Sequence, residues 1–157
     1  GRLYDIAPDK IGQRKEELFK KFGIDKFAEV KVGELSSGMK QKVSLVISIV
    51  HDPDVIIFDE PTNGLDPTGI HEIRTLIKSL PKLYHCTILI SSHMLSEVEL
   101  MADDIGILNH GRQLFEGSMD DLRQTARERG YASDNLEEMF LAMVDEDNTS
   151  RKLRNIK

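Results

Sequence analysis

The chain has 157 residues, 39% of them hydrophobic, which suffices for one ordinary globular domain with its own core and argues against a second independent domain. A formal net charge of -6 argues against a general nucleic-acid binder, because phosphate backbones are held chiefly by clustered Lys and Arg, and the basic residues 151–157 read as a solvated tail. A single cysteine, Cys86, cannot build a disulfide framework or a multi-cysteine metal site and fits a reducing cytosolic setting.

In residues 9–22 the apolar positions Ile11, Leu18, Phe19 and Phe22 share one helical face, and Gly23 follows where a left-handed helix stop is common. Leu35-Ser36-Ser37-Gly38 then precedes a second helix, whose buried face is expected to be Met39, Val43, Val46, Ile47 and Val50. Asp52-Pro53-Asp54 breaks it, and Val55-Ile56-Ile57-Phe58 is a short β-branched run suited to a parallel strand. Asp66-Pro67 predicts an N-cap with Pro at the first helical position, and Ile70, Ile73, Ile77 and Leu80 carry a stripe that Pro81 is expected to end.

Residues 87–90 repeat the strand pattern, 94–101 read as helix and 105–108 as a third strand. Strand, helix, strand, helix, strand implies an α/β fold with a mostly parallel sheet. Asn109-His110-Gly111 turns the chain into a fourth strand at 112–115, Ser118 with Asp121 resembles a capping box, and Leu136, Met139, Phe140 and Met143 form a stripe on the last helix. No stretch approaches the roughly eighteen consecutive apolar residues of a membrane span, and no signal pattern opens the chain, so any membrane role runs through a partner rather than by direct insertion.

The strand at 55–58 runs directly into Asp59-Glu60-Pro61. In open α/β sheets functional groups collect at the carboxyl ends of strands. One carboxylate there can help to hold a magnesium hydration shell, and the next can orient or deprotonate a water; an acidic surface turn is the plainer alternative. Ser36, Ser37 and Gly38 at a helix N-terminus leave backbone N–H groups for an anion, a phosphate being the natural one, although either serine could simply cap the helix. His93 follows the strand at 87–90 and should emerge at the same edge as Asp59 and Glu60, able to meet a phosphate oxygen or the attacking water. Asp66, in Asn63-Gly64-Leu65-Asp66-Pro67, is placed to cap the next helix, while His51, His71, His85 and His110 are too scattered for a metal site.

In this order, these elements resemble the second half of an ABC transporter nucleotide-binding domain, which is a P-loop NTPase fold. Leu35 to Met39 resembles the signature loop, Val55 to Glu60 the Walker B strand, Gly64 to Asp66 the D-loop, and His93 the switch histidine, over at least residues 35–117. Ser37 and Met39 depart from the commonest signature, which has glycine and glutamine there. The motifs with Ser-Ser-His-Met-Leu-Ser-Glu-Val-Glu are similar to the ATP-binding subunits of bacterial drug, antibiotic and sodium exporters.

The resemblance implies a homodimer that sandwiches ATP and Mg2+ and drives a transmembrane permease from the cytoplasmic face of the membrane. By position, Asp59 would support Mg2+, Glu60 and His93 would be catalytic, and Leu35, Ser36, Ser37, Gly38 and Met39 would form the signature contact to nucleotide on the opposite subunit, with Asp66 communicating across the interface. It also implies one incomplete domain: a helical subdomain and signature helix at 1–51, a Walker B to switch-histidine core at 52–117, and C-terminal helices and tail at 118–157.

None of the eleven glycines is followed by lysine, so no Gly-x-x-x-x-Gly-Lys phosphate loop is present and the strand carrying Walker A is expected to be absent. The chain accordingly reads as a fragment, inactive alone, with an exposed strand edge that invites pairing with another chain. Two other classes fit less well. A DNA-repair or chromosome-type ABC ATPase would carry long coiled-coil heptads, and none is seen; a non-hydrolysing interaction module would offer the signature surface to a partner's ATP.

Overall fold

A computed structural model describes residues 8–131 and 135–154. The chain divides into two compact units, residues 1–92 and 93–157.

The first unit begins with α1 (Pro8–Lys21), which Gly23 ends at φ 66°, in the left-handed region that glycine enters without a Cβ penalty. Two single 3-10 turns, Asp25–Phe27 and Val32–Glu34, lead into α2 (Ser37–Ile49). β1 (Val55–Asp59), α3 (Pro67–Tyr84) and β2 (Thr87–Ser91) then form a strand–helix–strand unit. β1 and β2 pair in parallel, from Val55 opposite Thr87 to Asp59 opposite Ser91. Ile56 and Phe58 alternate inward along β1 onto a core with Leu18 and Phe22 of α1, Leu45 and Ile49 of α2 and Ile73, Ile77 and Leu80 of α3. The expected α/β architecture with helices ahead of the first strand is therefore present.

Two details of these helices differ from expectation. On α2, Leu45, Val46 and Ile49 are the buried positions while Ile47 is 64% exposed. The helix carries apolar residues on more than one face, and packing between α1 and α3 selects which is buried. α3 also does not stop at Pro81: it continues to Tyr84 and ends at His85, which takes the left-handed conformation at φ 51°. Leu80, wholly buried, and Tyr84, with Arg14 and Lys21 of α1 over its ring at 5.7 and 5.1 Å, anchor the final turn on both sides of the exposed proline. Arg14 also pairs with Asp52, and Lys42 of α2 meets Glu72 of α3 at 2.9 Å.

The second unit comprises α4 (Leu95–Met101), β3 (Asp104–Asn109), β4 (Arg112–Ser118), α5 (Met119–Glu128) and α6 (Leu136–Arg154). β3 was expected as a third parallel strand; it instead pairs antiparallel with β4. His110 and Gly111, at φ 47° and 73°, make the two-residue turn whose positive dihedrals match hairpin twist, so the turn chemistry that ends β3 also supplies its partner. Leu122 and Ala126 of α5 and Leu136, Met139 and Met143 of α6 pack with Ile105 and Ile107 of β3. α6 runs on to Arg154, so residues 151–154 are helical rather than tail, and residues 155–157 lie outside the described part. Asp147, buried on α6, receives Arg112 and the Asn109 amide, each at 3.0 Å, and fixes the helix to the hairpin.

Candidate functional site

The acidic pair sits where a buried parallel strand meets solvent. Burial alternates along β1 and leaves Asp59 exposed at its carboxyl end. Glu60 then turns the chain with a left-handed backbone at φ 49°, a conformation that L residues with side chains seldom adopt, followed by fully buried Pro61 and Thr62. The turn is held from β2: the Glu60 N–H donates to the Ser91 carbonyl oxygen at 3.1 Å and to Ser91 Oγ at 3.2 Å, and the Ser91 hydroxyl donates to Asp59 Oδ1. Sequence reasoning had not singled out Ser91. Its only signal was a hydroxyl at the end of the second strand, and its proximity to Asp59 depends on a strand register that sequence does not state.

From Glu60 the chain folds through tight turns, with Asn63 N–H bonded to Glu60 O at 3.1 Å and Gly64 at φ 73°, to reach Asp66. Asp66 is the N-cap of α3, its Oδ1 accepting the Gly69 N–H at 2.9 Å. A Cβ on Gly69 would stand 2.8 Å from that oxygen, which gives this glycine a steric reason.

Ser36 caps α2, its Oγ accepting the Met39 N–H at 3.3 Å, and Ser37 and Gly38 occupy the first turn. The simple cap is thus realised at Ser36, and the first N–H groups of the helix still lack intrahelical partners, as at any helix start. Leu35 is buried and Met39 half-buried, and both line an apolar hollow with Phe19, Ile24 and Val43. Their side chains anchor the loop that presents Ser36, Ser37 and Gly38. His93 opens the second unit, two residues beyond Ser91.

Magnesium favours one or two carboxylates, completing its octahedron with phosphate oxygens and water. Asp59 fits that pattern, being exposed with one oxygen engaged by a hydroxyl. Among the described residues no group of three or more His, Cys, Asp or Glu side chains could hold a metal ion, so an all-protein cage is not on offer. Cys86 is buried, and burial pushes its thiol up from the usual range, which suits packing rather than chemistry.

β1 thus ends in two carboxylates, the second on a left-handed turn, and α2 begins with a serine cap. Residues 6–99 match the family described as "AAA domain, putative AbiEii toxin, Type IV TA system". The chain is 37% identical over 144 residues to the ABC transporter ATP-binding protein NatA of Bacillus subtilis (strain 168), covering 92% of this chain and 56% of that protein. It is 42% identical over 129 residues to the bacitracin transport ATP-binding protein BcrA of Bacillus licheniformis, covering 82% of this chain and 42% of that one. A solved structure of the ATP-binding subunit of an ABC transporter superposes with a TM-score of 0.72 at 29% identity, covering 89% of this chain and 57% of that one. The chain belongs to the ABC transporter ATP-binding protein family, with a partial P-loop NTPase fold. It spans about half the length of the curated relatives it matches.

Proposed function

We propose that this chain supplies the signature and carboxylate half of an ATP-hydrolysing subunit that powers an ABC exporter, and that the phosphate-cradling loop comes from outside these 157 residues. The observation that carries the reading is the pair Asp59 and Glu60 at the carboxyl end of β1, fixed by Ser91 of β2. Glu60 orients the attacking water and accepts its proton, and His93 contacts the γ-phosphate. Asp59 would hold magnesium through its exposed carboxylate. Magnesium, when bound with the nucleotide, neutralises charge on the phosphate oxygens.

Ser36, Ser37 and Gly38 meet the nucleotide held by a second ATPase subunit, through N–H groups at the start of α2, and Asp66 relays occupancy across that interface. Closure of the pair on ATP and its release after hydrolysis move a transmembrane permease. Among the described residues no helix is long and apolar enough to cross a membrane, which suits a subunit held at the cytoplasmic face through that permease. Export as the direction and a homodimer as the assembly are part of this reading; among the relatives are proteins named for bacitracin and lantibiotic transport.

In an ATP-hydrolysing assembly that contains this chain, Glu60→Gln should lower turnover by about 10²–10⁴-fold while leaving ATP binding, because it removes the proton acceptor and keeps the shape. Turnover like the wild type would remove Glu60 from the role. The chain alone is expected not to hydrolyse ATP.

A further inference from the structure

The two members of the acidic pair do not hold themselves in place. β1 and β2 run in register, so that Asp59 lies beside Ser91. The single Ser91 hydroxyl then serves both neighbours at once, donating to Asp59 Oδ1 and accepting the Glu60 N–H at 3.2 Å. The same N–H also reaches the Ser91 carbonyl at 3.1 Å. Glu60 meanwhile occupies a left-handed backbone at φ 49°, which persists only where the surroundings over-determine it.

We propose that Ser91 is a positioning residue for hydrolysis, its hydroxyl setting the facing of the Asp59 carboxylate and clamping the Glu60 turn in one stroke. A hydroxyl is required because the group must donate to a carboxylate and accept from an amide simultaneously, which no apolar side chain of that size can do. Tying Oδ1 of Asp59 restricts the carboxylate to one presentation, and magnesium, with its near-ideal octahedral demand, responds to such a restriction. Asp59 and Glu60 are adjacent in sequence, so one clamp from the neighbouring strand couples the placement of both. This rests on the reading of Asp59 and Glu60 given above.

Ser91→Ala and Ser91→Thr test it, with Asp59→Asn as reference. In the 157-residue chain, amide hydrogen exchange at Glu60 should quicken about fivefold in Ser91→Ala, the worth of one lost hydrogen bond, and return towards wild type in Ser91→Thr. In the ATP-hydrolysing assembly, Ser91→Ala should raise the Mg2+ concentration needed for half-maximal turnover about tenfold, with the KM for ATP at saturating Mg2+ unchanged and Thr restoring the value. Unchanged Glu60 exchange in Ser91→Ala would overturn the clamp. Wild-type Mg2+ dependence in Ser91→Ala, where Asp59→Asn shifts it, would overturn the positioning role alone. Wild-type Mg2+ dependence in Asp59→Asn would defeat the assignment of Asp59 and this inference with it.

Discussion

Short polar side chains at helix starts do much of the local specification in both units. Ser118 caps α5 and forms a reciprocal box with Asp121, whose Oδ2 accepts the Ser118 N–H at 3.0 Å. The Ser118 hydrogen bonds hold the Asp121 carboxyl below its usual value of 3.8. A depressed carboxylate contributes stability above the unfolded value and loses it as pH falls through the folded one. Thermal unfolding should therefore show this contribution intact at pH 5 and lost as pH drops below about 3.8, and Asp121→Asn should flatten that part of the profile. Gly69→Ala should cost about 1–2 kcal/mol in denaturant unfolding, because its Cβ would displace the Asp66 cap; a neutral effect would mean the cap contributes little. Both caps were legible, since Ser-x-x-Asp and Asp-Pro are chemical patterns within a few residues. Ser91 was not, because its role comes from a parallel register that a crossover of α3 creates.

At the scale of elements, periodicity located the helices but not always their buried faces. α2 shows Met39, Val43, Val46, Ile47 and Val50 as a plausible stripe, yet α1 and α3 bury Leu45, Val46 and Ile49. Truncating wholly buried Ile49 to Ala should cost about 2–5 kcal/mol, whereas Ile47→Ala should stay within about 0.5 kcal/mol. Equal costs in urea unfolding would contradict the assigned face. Pro81 marks the opposite situation, in which a strong local breaker is overridden by the burial of Leu80 and the cation contacts of Tyr84. β3 was legible as a strand, but its antiparallel pairing follows from the left-handed turn at His110 and Gly111 rather than from its own composition.

At the scale of the whole molecule, the β1–β2 ladder buries Ile56 and Phe58 and leaves Val55, Ile57 and Leu89 at 57%, 70% and 59% exposure. A face of this kind on a two-stranded ladder favours association. Sedimentation velocity is expected to show a mass that rises with concentration, reduced by Ile57→Lys with Leu89→Lys; a monomer at all concentrations would count against it. The motifs at 35–39, 55–60 and 64–66 identified the family because their order and spacing are jointly specific, although each alone has an ordinary structural explanation, and two of these explanations, the caps at Ser36 and Asp66, hold as well. The central claim is that these residues complete an ATP site whose phosphate cradle lies outside the 157 residues. Calorimetric titration of the chain alone with Mg-ATP tests it most directly: the account predicts no saturable binding in the micromolar range, and saturable micromolar binding would contradict it by showing that another group in this chain holds the phosphates.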